Sequence, residues 1–350
     1  MNPISFNLSD YDFQFPSSLI AQRSAGKGKT RILHVPLDGG PLQEMPAPKI
    51  VDLFRAGDCL VVNNTKVIPA RLLGRRPSGG AVEILLLQAL PPAENGEARW
   101  ESMVRPGRAF RVGAQLDFSG VSCVVEQIQE DGNRVLHFQL DAGRFGEFLQ
   151  SQGHVPLPPY IGRDDDASDR QAYQTIFAKY EGAVAAPTAS LHFSQEMLDD
   201  LRARGVLVAE VTLHVGAGTF QNIQHQDFRK HQMHGERYHL DDTAVQKIQE
   251  SRSRGGRIVT VGTTSTRVLE TVADDAGQLR PSEGVTHAFI YPGYRFKAVD
   301  GLLTNFHWPK SSLILLVSAM LGRERTLEAY HYAVDHEMKL FSYGDGMLIL

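Results

Sequence analysis

Hydrophobic and polar positions follow two different periods along the chain, and the change of period divides it. Between about residues 66 and 140, short β-rich runs at 67–74, 81–89, 99–105, 121–128 and 134–140 are parted by turn signals such as Pro77-Ser78-Gly79-Gly80, Glu94-Asn95-Gly96 and Asp131-Gly132-Asn133. Short strands with regularly spaced turns predict a small antiparallel barrel or sandwich. After residue 150, apolar positions recur at helical spacing over 168–179, 194–204, 241–254, 265–274, 311–321 and 323–338. Ser194, Asp241 and Ser265 are the expected N-caps, and Gly205 and Gly255-Gly256 the expected stops. Strands predicted at 206–214, 257–262, 287–291, 302–306 and 347–350 alternate with these helices. That alternation belongs to an α/β domain. The apolar run 59–63 suits that domain better than the barrel, so the barrel reads as an insertion. The expected division is residues 1–64 and 150–350 for the α/β domain and 65–149 for the insert. The first 50 residues are irregular and rich in proline. Within them a short capped helix is expected at 16–22, a mobile basic loop at 25–31, and a helix at 49–55.

Composition narrows the function classes. The 350 residues include 36 Lys+Arg and 40 Asp+Glu, a formal net charge of −4, which argues against a surface coated in basic charge. The two cysteines, Cys59 and Cys123, lie far apart and form no C-x-x-C pair, so neither a disulfide framework nor a cysteine zinc site is expected. That pattern suits a cytoplasmic protein. The N-terminal residues lack the basic and apolar runs of a signal peptide, and the apolar segment 313–321 is about half the length that spans a bilayer.

Four patterns carry candidate chemistry. Val215-Gly216-Ala217-Gly218-Thr219-Phe220 starts like a dinucleotide fingerprint but lacks the third glycine, because Gln221 follows. It reads instead as a tight turn presenting the backbone N–H groups of Gly216 and Gly218 to a ligand. Six of the thirteen histidines (His192, His214, His225, His231, His234 and His239) lie between 192 and 239. Clustering raises the idea of a metal site, yet no H-E-x-x-H occurs and no carboxylate ligand pattern accompanies them. His192, His214, His234 and His307 sit at the ends of predicted elements, where α/β domains gather their sites. The insert carries eight cations against four anions between 66 and 111, a local balance of +4 that fits a phosphate-backbone binder as well as a solvated face. Finally, polar turns follow strands at 62–71, 262–267 and 304–312, each rich in hydroxyls, amides and a cation suited to pinning a small polar molecule.

These segments resemble the S-adenosylmethionine:tRNA ribosyltransferase-isomerases of queuosine biosynthesis. The resemblance rests on 57–71, Val104-Arg105-Pro106-Gly107, 153–161, 182–189, Leu191-His192-Phe193, 211–220, Met233-His234, 261–265, 290–294, Thr304-Asn305-Phe306-His307, Pro309-Lys310-Ser311 and 341–345, in order and nearly end to end. It implies a large α/β-barrel-like domain with a small inserted β-barrel. It also implies transfer of the ribosyl part of S-adenosylmethionine to 7-aminomethyl-7-deazaguanine in tRNA, with isomerisation to epoxyqueuosine and release of adenine and methionine. No metal or further cofactor is implied, and a cytoplasmic monomer is. The pattern departs at Ser190, Ser194, Gly235, Trp308 and Gly346, where Gly, Thr, Ser, an aliphatic residue and Ala are expected.

With that reaction in view, His192, His214 and His307 are the first candidates for proton transfer, with Glu236 and Asp345 behind them. Arg71, Arg105, Arg267 and Lys310 are candidates to hold the methionine carboxylate or RNA phosphates. Asn63, Thr65, Thr188, Thr263, Thr264, Tyr291 and Asn305 complete the expected binding set. Two other classes stay open on the residues alone: a histidine-dependent metallohydrolase, and a non-catalytic RNA-binding protein using the basic insert.

Overall fold

The computed structural model describes residues 4–216 and 223–350. In chain order the first strands are β1 (Arg31–Val35), β2 (Gln43–Pro46), β3 (Cys59–Asn63) and β4 (Thr65–Val67). The insert follows: β5 (Arg71–Arg75), β6 (Ala81–Leu90), β7 (Glu97–Arg105), β8 (Gln115–Phe118), β9 (Val121–Ile128), β10 (Arg134–Asp141) and helix α1 (Ala142–Gln152). The chain returns through α2 (Asp169–Ala172), β11 (Tyr180–Ala183), α3 (Gln195–Ala203), β12 (Leu207–Leu213), β13 (Glu236–Leu240) and α4 (Asp242–Ser253). It ends with β14 (Ile258–Val261), α5 (Gly262–Val272), β15 (Ser282–Thr286), β16 (Gly301–Asn305), α6 (Ser312–Leu321), α7 (Arg323–Asp335) and β17 (Gly346–Ile349).

The α/β class with an inserted antiparallel barrel holds. Strands β5 to β10 close into a six-stranded barrel in the order β10-β7-β6-β5-β8-β9. The other large unit is a nine-stranded mixed sheet in the order β15-β13-β12-β3-β14-β16-β17-β1-β2. Its centre, β12-β3-β14-β16, is parallel throughout. β3, β14 and β16 are buried at every position. That is why they read as unbroken apolar runs, since a parallel strand is covered on both faces. Leu60, Val62, Val259 and Val261 pack with Met197, Leu198 and Leu201 of α3 on one face. Cys59, Val61 and Ile258 pack with Val245 and Ile248 of α4 and Val268 and Leu269 of α5 on the other. The barrel has its own core around Ile84, Phe118, Leu136 and Phe138, closed at one end by Phe145, Phe148 and Leu149 of α1.

Several expected elements differ. Ser194 and Asp241 cap α3 and α4 through the N–H groups of Met197 and Ala244. Ser265 does not cap α5: the helix begins three residues earlier at Gly262, and the Ser265 hydroxyl donates to Val261 O inside the first turn. The helix expected over 168–179 shrinks to Asp169–Ala172. The last strand of the 280s lies at Ser282–Thr286 rather than 287–291, because it pairs with β13, itself hidden in the histidine-rich stretch. The 16–22 and 49–55 segments form short 3₁₀ turns, Ser17–Leu19 and Ala47–Leu53. The expected loop at 25–31 ends in strand β1, which pairs in parallel with β17 and antiparallel with β2.

Candidate active site

The four parallel strands end on the same edge of the sheet, and each leads straight into a polar turn. β3 runs into Thr65, β12 into His214-Val215-Gly216, β14 into Gly262-Thr263-Thr264, and β16 into Phe306-His307-Trp308. Carboxyl ends of parallel strands are where open α/β sheets bind ligands. Two cavities lie there.

The first, of about 380 Å³, has a size suited to a small-molecule ligand. Part of its lining is polar: Gly262, Thr263 and Thr264 at the start of α5, with Thr188 and Asn305. The Thr188 hydroxyl donates to Asn305 Oδ1 at 2.9 Å, and Asn305 Nδ2 donates to Phe341 O at 3.1 Å, so the amide is oriented from both ends. Gly262 adopts φ +85°, a conformation open to glycine, which lets the strand turn into the helix without a connecting residue. The other part is aromatic: Tyr160, Trp308 and Phe341, in mutual contact at centroid distances of 4.7 to 5.7 Å. His307 also lines this cavity. Its Nε2 lies 2.7 Å from Thr304 Oγ1 and its backbone N–H donates to the Tyr330 hydroxyl. Burial pushes the His307 imidazole down to about 3, so it is neutral at physiological pH.

The second cavity, of about 470 Å³, lies on the seam between barrel and sheet. The barrel contributes residues of β6, β7 and α1, among them Arg99, Trp100 and Phe145, and the large unit contributes Glu181, Gly182, His214, Gly216 and 234–237. His214 Nδ1 is 2.8 Å from Thr65 Oγ1. Burial, assisted by the Arg237 charge, lowers the His214 pKa. Glu236 is buried, accepts the Gly216 N–H at 3.0 Å and forms an ion pair with Arg267. Val215 lines the first cavity and His214 and Gly216 the second, so the two adjoin at the end of β12.

The structure therefore brings together Thr188, Thr263, Thr264, Asn305 and His307 around one cavity, and His214, Gly216 and Glu236 around the other. Thr65 stands behind His214. Gly218 lies outside the described residues. The remaining candidates line neither cavity. Asn63 is buried and ties strand ends together, accepting from the Thr65 and Leu213 N–H groups through its Oδ1. His192 is buried with Nδ1 2.8 Å from Thr30 Oγ1, and burial lowers its pKa to about 4. Asp345 accepts from the Arg31 and Lys339 N–H groups, which makes it a turn anchor. Arg267 is buried, pairing with Glu236 and donating to Ala288 O. Lys310 pairs with Asp12, and Tyr291 packs on Phe228 and Phe289. Arg71 pairs with Glu83, and Arg105 lines an outer groove of the barrel. Sequence reasoning missed Tyr160, Phe341, Trp308 and Trp100 as lining residues. Their signal was weak, because an isolated aromatic ordinarily reads as core.

A family model described as queuosine biosynthesis protein matches residues 8–349. The chain belongs to that family. The S-adenosylmethionine:tRNA ribosyltransferase-isomerase of Pelotomaculum thermopropionicum is 47% identical over 348 residues, covering 98% of this chain and 100% of that one. The protein of the same name from Geobacter sulfurreducens is 46% identical over 344 residues, covering 98% and 99%. Among solved structures, the S-adenosylmethionine tRNA ribosyltransferase of Thermotoga maritima aligns with a TM-score of 0.54 at 33% identity, over 97% of this chain and 100% of that one. Among the described residues, no group of three or more His, Cys, Asp or Glu is placed to hold a metal ion, and no helix is long and apolar enough to cross a membrane.

Proposed function

We infer that this family member is an S-adenosylmethionine:tRNA ribosyltransferase-isomerase. It moves the ribosyl group of S-adenosylmethionine onto 7-aminomethyl-7-deazaguanine at the tRNA wobble position and isomerises it, giving epoxyqueuosine-tRNA, adenine and methionine. One structural observation carries the reading beyond the names of relatives: two cavities meet at the end of β12, one within the large unit and one shared with the barrel. A transferase joining a small donor to a macromolecular acceptor needs two such sites in contact.

We assign the first cavity to S-adenosylmethionine and the seam to the modified base. Thr188, Thr263, Thr264 and Asn305 bond the donor's polar groups, and the N-terminus of α5 favours its carboxylate. The sulfonium acidifies the neighbouring C5′ hydrogens, so ylide formation requires an unprotonated base beside that carbon. His214 lines the seam one residue before Val215 of the first cavity, and it fits that role where the two cavities adjoin. Its Nδ1 is held 2.8 Å from the Thr65 hydroxyl, which fixes the ring and leaves Nε2 as the nitrogen not engaged by Thr65. His307 assists departure of adenine, and Glu236 holds the Gly216 backbone. We place the insert's boundaries at 65 and 149, and barrel strands β5 to β10 fall between them. The working unit is a cytoplasmic monomer with S-adenosylmethionine as its single small co-substrate.

The test is adenine release from protein, S-adenosylmethionine and tRNA carrying the aminomethyl-deazaguanine, with a chelator present. Adenine formed with modified tRNA and absent with unmodified tRNA is the expected result. Tight tRNA binding without adenine would favour the RNA-binding reading, and chelator-sensitive turnover would favour the metal reading.

A further inference from the structure

Trp308 follows His307 just past the end of β16, and its surroundings are unusual for a tryptophan. Its backbone is pinned: the Ser311 hydroxyl donates to Trp308 O at 2.6 Å while accepting the Ile314 N–H that starts α6. Its indole is held by three rings. It lies nearly parallel to Tyr160 at 12° and 5.7 Å, edge-on to Phe15 at 5.5 Å, and tilted against Phe341 at 4.7 Å. Yet Trp308 is 38% exposed and lines the first cavity. A rigid, partly wet indole on a cavity wall has little rotamer freedom left to lose on binding, and stacking a planar ring on it removes apolar surface from water.

We propose that Trp308, with Tyr160 and Phe341, forms the wall against which the adenine of S-adenosylmethionine packs, and that Trp308 sets this chain's affinity for that ligand. The proposal rests on the functional reading above and adds to it which end of the donor lies where. The methionine carboxylate suits the positive end of α5 beside Thr263 and Thr264, and the sulfonium is disfavoured at that same positive end. Adenine, neutral and planar, suits the aromatic patch. Because the stack is present before and during reaction, it acts on binding rather than on the chemical step.

Trp308→Leu removes the indole while keeping an apolar side chain, and tests this directly. S-adenosylmethionine and S-adenosylhomocysteine share the adenine, while only the first carries the sulfonium. The expected result is a loss of about tenfold in affinity for both, the size of one base–aromatic stack. KM for S-adenosylmethionine should rise in step while kcat stays within twofold. Trp308→Phe should recover most of the loss. The chain has two tryptophans, so Trp100→Phe leaves Trp308 as the single indole. Both ligands should then change its fluorescence, a readout that does not depend on the Leu variant folding. Unchanged affinity, or an indifferent indole signal, overturns the proposal. So does weakened S-adenosylmethionine binding with S-adenosylhomocysteine unaffected, which would place the sulfonium at the aromatic wall. Wild-type protein that binds neither ligand and releases no adenine overturns the functional reading itself. Active wild-type protein with an indifferent Trp308 overturns this inference alone.

Discussion

His214 sits where β12 ends, backed by Thr65 and lowered in pKa by burial and by Arg237. A base must be unprotonated to act, and a pKa depressed below 6.5 keeps His214 unprotonated across the neutral range. The acid limb of kcat/KM should therefore fall below pH 6.5, with a plateau above it. His214→Ala should lose about 10²–10⁴-fold in turnover, as expected for removing a general base. If His214→Ala and His307→Ala both keep full turnover, the proton-transfer assignment is wrong. The Glu236–Arg267 pair makes a different kind of statement. Both side chains are buried, so Arg267→Met strands a carboxylate and should cost about 3–5 kcal/mol of stability. The double variant Arg267→Met/Glu236→Gln should recover a large part of that in denaturant unfolding. Residue type alone marked Arg267 as an anion binder. Its burial beside Glu236 makes it a support for the Gly216 backbone instead.

At the scale of elements, the turns matter more than the helices and strands they join. Helix α5 starts directly on β14 because Gly262 takes a positive φ, and this brings Thr263 and Thr264 to the cavity wall three residues earlier than the serine pattern suggested. Strand β11 approaches His214 just as closely. A Cβ on Gly182 would stand 2.8 Å from His214 Nδ1, and Gly182 has φ +146°. Gly182→Ala should therefore push the imidazole out of register with Thr65. The expected outcome in steady-state kinetics is a kcat loss exceeding any rise in KM for S-adenosylmethionine. Equal effects on both would mean that β11 positions the donor as well. Helix α1 escaped sequence reading because Gly143 and Gly146 interrupt it. It forms because Phe145, Phe148 and Leu149 close the barrel core.

Across the whole molecule, the insert turns a sheet-edge pocket into a two-sided site, since the second cavity exists only where β6, β7 and α1 face the end of β12. The insert's positive balance is partly neutralised internally: Arg71 pairs with Glu83 and Arg99 with Glu126. Arg108 and Arg111 are exposed in the segment between β7 and β8. Arg108→Ala/Arg111→Ala should weaken tRNA binding and lower the salt dependence by about one unit for each phosphate no longer neutralised, leaving S-adenosylmethionine affinity unchanged. An unaltered salt slope would move the tRNA face elsewhere. The α/β class, the inserted barrel, the buried parallel strands and the polar turns that follow them were all legible in the chain. They depend on local periodicity, caps and the ordered motifs near strand ends. The pairing of β13 with β15, the partners that disarm Asp345 and Arg267, and the aromatic wall around Trp308 were not. Each depends on which distant segments meet, and a carboxylate or an indole has the same letter whether it faces a cavity or a partner side chain. Local sequence determined the elements and the family; long-range packing decided which polar and aromatic groups were left free to meet a ligand.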